Sequence, residues 1–132
     1  MNLYYNEDKS AVAVLVSPGY GAGWSTWGDK ELAYDEDVVK FWLSKCDDKE
    51  WLKTCARYEV KGSDGHVRIP ASEAYKEAMS FFSSIGYDHP CMLGFENIRL
   101  VWVPIGRYFR INEYDGAESV VYMDEEGYVK FE

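Results

Sequence analysis

The dipeptide Asp115-Gly116, set between the alternating segments Phe109 to Tyr114 and Ala117 to Tyr122, constrains this chain more than any other feature. Asp-Gly between two period-two runs favours a two-residue type I′ turn, whose backbone twist matches that of paired strands. The turn then fixes a register: Tyr114 opposite Ala117, Glu113 opposite Glu118, Ile111 opposite Val120 and Phe109 opposite Tyr122. Extending the alternation back to Asn97 and on to Phe131, with further turns at Pro104-Ile105-Gly106 and Asp124 to Gly127, predicts an antiparallel meander of four strands. In that register Trp102 faces Phe109, Leu100 faces Ile111, Tyr122 faces Val129 and Val120 faces Phe131. Ile98, Leu100, Trp102, Phe109, Ile111, Val120, Tyr122, Val129 and Phe131 then form the core side. The opposite face carries Arg99, Val101, Val103, Tyr108, Arg110 and Asn112, too apolar to be left to solvent, so part of it is expected to be covered. The N-terminal hairpin or a second copy is the favoured cover; two arginines among valines and a tyrosine would also suit a phosphate or carboxylate ligand there.

At the other end of the chain, Leu3-Tyr4-Tyr5 and the apolar run Ala11 to Val16 flank a polar stretch and read as a hairpin with a central second strand. Between the two β regions the pattern is helical. Asp35 to Asp37 suit a helix start, with Val38, Phe41, Trp42 and Cys46 on one face. Asp47 with Glu50 resembles a capping box ahead of Trp51, Leu52 and Cys55. Lys61 to His66 reads as a turn. Ser72 to Ile85 lines up Tyr75, Ala78, Met79, Phe82 and Ile85, with Gly86 as the stop. The expected fold is α+β in a single domain spanning residues 1–132. Its antiparallel sheet consists of the N-terminal hairpin plus the four-stranded C-terminal meander, and about three helices inserted in the middle pack on one face.

A chain of 132 residues, 47% hydrophobic, can bury a core without disulfides or metal. Its 23 acidic against 14 basic residues give a net charge of -9, which repels nucleic-acid backbones and anionic membranes. The acid is scattered in short clusters, which disfavours imitation of a phosphate backbone. Cys46, Cys55 and Cys91 are odd in number and widely spaced, and with His66 and His89 they form no zinc pattern, so reduced thiols and no bound metal are expected. The first residues hold no signal-peptide core, and no apolar stretch approaches the roughly 20 residues of a membrane span, so a cytoplasmic location is expected.

The segment Ser17-Pro18-Gly19-Tyr20-Gly21-Ala22-Gly23-Trp24-Ser25-Thr26-Trp27 follows the apolar strand directly. Glycines permit close approach of backbone amides to a ligand, so Ser17, Gly19, Tyr20, Gly21, Gly23, Trp24, Ser25, Thr26 and Trp27 are candidate binding residues. The even glycine spacing fits neither a dinucleotide fingerprint nor a P-loop. Trp24 and Trp27 either complete the core or serve a site. Arg99, Tyr108 and Arg110 on the sheet, and Glu113, Tyr114, Asp115 and Glu118 at the hairpin, complete the candidate set. Glu113 across from Glu118 places like charges on paired strands, a destabilising arrangement unless water screens them or a cation arrives, for example from a partner. No nucleophilic triad can be assembled. Tyr34, Asp35 and Asp37 precede a helix, where acidic residues ordinarily act as caps.

Two segments, Ala13 to Trp27 and Phe109-Arg110-Ile111-Asn112-Glu113-Tyr114-Asp115-Gly116-Ala117-Glu118-Ser119, resemble a family of small, mostly uncharacterised proteins of bacteriophages and prophages. They cover about a fifth of the chain, and the helical middle, Asp47 to Pro90, is longer than that family leads one to expect. The resemblance implies no established activity, and no cofactor is expected. It implies a phage-encoded protein of the host bacterial cytoplasm, a class that most often binds and inhibits host or anti-phage defence components. The leading expectation is therefore a non-catalytic accessory protein that binds a host or defence protein, or sequesters a signalling nucleotide, through the glycine-tryptophan loop and adjoining sheet. The alternatives are a small enzyme acting on a nucleotide or nucleic acid with Glu113, Asp115 and Glu118, and an oligomeric scaffold.

Overall fold

A computed structural model describes residues 1–56, 60–61, 67–68, 72–88, 90–123 and 129–132. In chain order the elements are β1 (Ala11–Val16), two short 3-10 turns (Ser25–Trp27 and Lys30–Ala33), α1 (Glu36–Lys45), α2 (Lys49–Ala56), β2 (Val60–Lys61), β3 (Val67–Arg68), α3 (Glu73–Ser84), α4 (Met92–Phe95), β4 (Arg99–Pro104), β5 (Tyr108–Tyr114), β6 (Ala117–Met123) and β7 (Val129–Lys130). The fold is mixed α+β, with antiparallel strands throughout the described residues.

All six residues of β1 are buried, so both faces of this strand are covered. Alternation divides them. Ala13 and Leu15 enter one core with Trp24, Val38, Val39, Ala78, Phe82 and Phe95 from the helical side. Val12, Val14 and Val16 enter a second core with Val103, Phe109 and Phe131, bordered by Ile111, Val120 and Tyr122. The β1–β4 ribbon is thus a middle layer between the helices and the β6-β5-β7 sheet. A strand buried on both faces reads as a continuous apolar run, and Ala11 to Val16 is one.

The expected register of the 115–116 hairpin is found at every pair from Tyr108–Met123 to Tyr114–Ala117. Asp115 (φ 49°) and Gly116 (φ 86°) supply the two positive φ angles of a type I′ turn. The four-stranded meander is not formed. β4 leaves β5 and pairs instead along the whole of β1, Ala11 with Pro104 through Val16 with Arg99. The turn at Pro104 to Arg107 therefore joins two sheets: Ile105 N–H donates to Ser10 O and Gly106 N–H to Phe131 O. The pairings Trp102–Phe109 and Leu100–Ile111 are absent for the same reason. β7 lies on the other edge of β5, with Val129 opposite Phe109, so Tyr122 does not face Val129. The core side changes accordingly: Val103 is fully buried, whereas Trp102 and Val129 are exposed.

The N-terminal hairpin shrinks to a single bridge, Tyr5 with Val12, flanked by Asn6 N–H to Ala11 O and Ala13 N–H to Tyr4 O. The chain before Tyr4 turns to other partners: Leu3 bridges Asp35, and Asn2 O accepts from Glu36 N–H at the start of α1. Four α-helices are described where about three were expected, the additional one being the single turn α4. Asp35 caps α1 through Asp37 N–H, and Ser72 caps α3 through Tyr75 N–H. α2 is capped by Asp48, one residue later than the Asp47–Glu50 box, because Asp48 Oδ1 accepts from Trp51 N–H. Of the expected turns, Gly62 to His66 and Asp124 to Gly127 lie outside the described residues. No helix among the described residues is long and apolar enough to cross a membrane.

Candidate functional site

The glycine-tryptophan loop and the 115–116 hairpin meet, and one carboxylate joins them. Glu118, on the core-facing side of β6, is 2% exposed. Its Oε1 accepts from Ser17 N–H at 2.9 Å. Its Oε2 accepts from Trp24 N–H at 2.8 Å, Thr26 N–H at 2.9 Å and the Thr26 hydroxyl at 2.5 Å. Glu118 N–H in turn donates to Ser17 O at 2.8 Å. A buried carboxylate without partners would be prohibitive; with four donors it becomes a strong, directional tie.

The backbone allows this closeness at two glycines in particular. Gly116, at positive φ, lies under the main chain of Ala22, which a Cβ would overlap. Gly94 of α4 lies against the carbonyl of Gly23, so a methyl group there would collide with the loop backbone. Gly21 N–H donates to Asp115 O at 2.7 Å, which ties the loop to the hairpin turn. The two tryptophans divide the alternatives left by the sequence. Trp24 is fully buried, edge-on to Phe95 with centroids 5.3 Å apart, and its indole donates to Leu32 O. Trp27 is 48% exposed and its indole donates to Glu113 Oε1 at 2.9 Å. Glu113 and Glu118, opposed across the hairpin, are thus both engaged by donors from the loop.

Ser17, Gly23 and Ser25 are buried, and Gly19 sits against the side chain of Asn97. Tyr20 (75%) and Tyr114 (77%) are exposed, each adjacent in sequence to one partner of the Gly21–Asp115 hydrogen bond. Arg99 belongs to the β1–β4 sheet, whereas Tyr108 and Arg110 lie on β5, so these residues do not share one sheet face. Lys130 Nζ stands 4.9 Å from the centroid of the Tyr108 ring. Arg110 lines a cleft of about 160 Å³ with Thr26, Lys30, Tyr34, Phe109 and Val129. That volume is below the roughly 300 Å³ at which ligand pockets usually begin.

Of the acid and base candidates before α1, Asp35 is engaged within the fold. Asp35 Oδ1 caps the helix and Oδ2 accepts from Tyr87 Oη at 2.7 Å. Burial, reinforced by that carboxylate, raises the Tyr87 phenol well above its ordinary value. Burial likewise pushes the Cys55 thiol up to about 12, which leaves it a poor nucleophile. Sequence reasoning did not find Gly94; its signal was a glycine beside aromatic Phe95 shortly after Pro90, too common a pattern to single out a contact with Gly23.

Compared with protein-family models, with curated proteins and with solved structures, the chain finds no match in any of the three. Its geometry therefore carries the functional argument.

Proposed function

We propose that this protein is a non-catalytic accessory protein of a bacteriophage or prophage that binds a host or anti-phage defence protein and inhibits it. The contact surface is the tip of the β5–β6 hairpin together with the loop fastened to it. The observation that carries this reading is the exposure of Tyr20, Trp27 and Tyr114 on a scaffold held by the buried Glu118. Tyrosine and tryptophan are the side chains most suited to anchor a protein contact, since they offer large area for few rotatable bonds. Glu113 and Asp115 add carboxylates to the same tip, and the net charge of -9 favours a basic partner surface. The phage resemblance of the loop and hairpin motifs supplies the class of partner.

Sequestration of a signalling nucleotide by the loop draws less support. The amides of Ser17, Trp24 and Thr26, the groups a phosphate would need, already donate to Glu118.

The test places a photo-crosslinking residue at Tyr20 or Tyr114, and at exposed Lys53 as control, in bacterial cytosol. A single protein captured from both tip positions but not from Lys53, and whose activity falls on adding the purified chain, is the expected result. Retention of that protein by a Tyr20→Ser/Tyr114→Ser variant would overturn the reading, as would thermal stabilisation by nucleotides with no protein captured.

A further inference from the structure

A second surface lies on the β1–β4 ribbon, apart from the hairpin tip. Ala13 is opposite Trp102 in the ladder, and on its other side its N–H donates to Tyr4 O. Because alanine is small, the side chains of Tyr4 and Trp102 meet above it, with ring centroids 6.3 Å apart and planes at 29°. These rings, with Leu100 and with Leu43 of α1, line an open groove of about 840 Å³ whose remaining wall is the segment Tyr5 to Asp8. Trp102, Tyr5 and Leu43 are all exposed there.

The charged residues lining the groove are Glu7 and Asp8. Asp8 is held in place: its Oδ1 accepts from Ser10 N–H at 3.1 Å and from the Ser10 hydroxyl at 2.6 Å. Those hydrogen bonds hold its carboxyl below the ordinary carboxylate value, so it is charged at neutral pH. On α1, Lys40 is paired with Glu36 at 2.7 Å. An exposed aromatic surface beside the held carboxylate of Asp8 and the side chain of Glu7 has a definite complement. A guanidinium stacks on aromatic faces and forks onto carboxylates, and its aliphatic stem suits Leu43 and Leu100.

We propose that this groove binds an arginine-bearing peptide segment of a partner protein, the guanidinium seated against Trp102 and paired with Glu7 and Asp8. The volume fits one or two side chains with their backbone, and the charge complementarity selects arginine over an apolar anchor. The site is built from different residues than the hairpin tip, so it stands or falls independently of the function proposed above.

The test titrates isotope-labelled protein with the capped peptide acetyl-Gly-Arg-Leu-Arg-Gly-amide and with its citrulline counterpart, which has the same shape without charge. The indole resonance of Trp102, assigned with Trp102→Phe, and the amides of Tyr5 to Asp8 are expected to shift with the arginine peptide alone. Glu7→Gln/Asp8→Asn should weaken binding about fivefold, the size expected of two partly solvated ion pairs. Trp27→Ala, at the other surface, should leave it unchanged. An unmoved Trp102 indole, equal binding of the citrulline peptide, or full affinity in the Glu7→Gln/Asp8→Asn variant would overturn the proposal.

Discussion

Glu118 beneath the loop and Glu77 on α3 each fasten a tryptophan-bearing segment through one carboxylate, and their surroundings make them very different interactions. Glu118 is sealed from water and accepts four hydrogen bonds, three of them from backbone N–H groups. Glu77 is exposed; it accepts two bonds from Lys45 Nζ at 3.0 Å and one from the Trp51 indole at 2.7 Å. Lys45 Nζ also stands 4.7 Å from the Trp51 ring. In the helical layer, water can replace every one of these partners. In the clasp the carboxylate and the Ser17 and Trp24 amides are buried, so these donors of the loop depend on a single side chain. The number of hydrogen bonds is nearly the same; what differs is the alternative open to each group when its partner is removed.

The sharpest way to break this contrast is Glu118→Ala. It strands three buried or part-buried N–H groups, and a loss of about 4 kcal/mol is expected from the cost of unsatisfied buried donors. Glu118→Gln should cost less, about 2 kcal/mol. Its amide oxygen can still receive Trp24 and Thr26, but its NH₂ group must then face the Ser17 N–H. Urea denaturation of both variants checks the order. Equal midpoints for wild type and Glu118→Ala would show that the loop does not depend on this carboxylate.

Gly94→Ala probes the same junction from the side of α4 without touching a charge. The added methyl group meets the Gly23 carbonyl, and either the loop or α4 must move, at a cost of about 2 kcal/mol by analogy with overpacked cores. The indole of Trp24, buried against Phe95 and Phe82, should report the shift through its fluorescence. A variant with the stability and emission of wild type would mean that the junction is looser than its geometry.

These two sites differ also in how far they could be read from the sequence. The opposition of Glu113 and Glu118 followed from one local feature, a turn that only Asp-Gly and similar dipeptides form, and the strand pairs are as expected. The α3 boundaries were legible for the same local reason, with Ser72 as cap and Gly86 at positive φ just past the end. What neutralised the two glutamates was not legible. The amide that Glu118 binds at Ser17 lies 101 residues earlier, and nothing local specifies which segment will cross over a hairpin. The pairing of β4 with β1 was lost to the same difficulty. Pro104 to Arg107 can close a hairpin or join two sheets, and the choice is made by β1, which is apolar on both faces and needs a strand beside it. The loop glycines suggested a cradle for an external anion; the anion that fills it is internal.

The smallest effect belongs to Glu77, and its pH dependence completes the contrast. The hydrogen bonds from Lys45 and Trp51 hold its carboxyl below the ordinary value of 4.5. A carboxyl lowered on folding binds fewer protons in the folded chain than in the unfolded one across that interval. The stabilisation is therefore fully present above pH 4.5 and is lost as pH falls through the folded value. Because the pair is solvated, the amount is under about 1 kcal/mol, and Glu77→Gln should remove it at neutral pH while leaving the acid limb of the stability curve flatter than in wild type. Denaturant midpoints measured from neutral to acid pH decide the matter. A loss for Glu77→Gln as large as that for Glu118→Gln would mean that burial is not what separates the two carboxylates, and the distinction between a replaceable and an irreplaceable partner would fail.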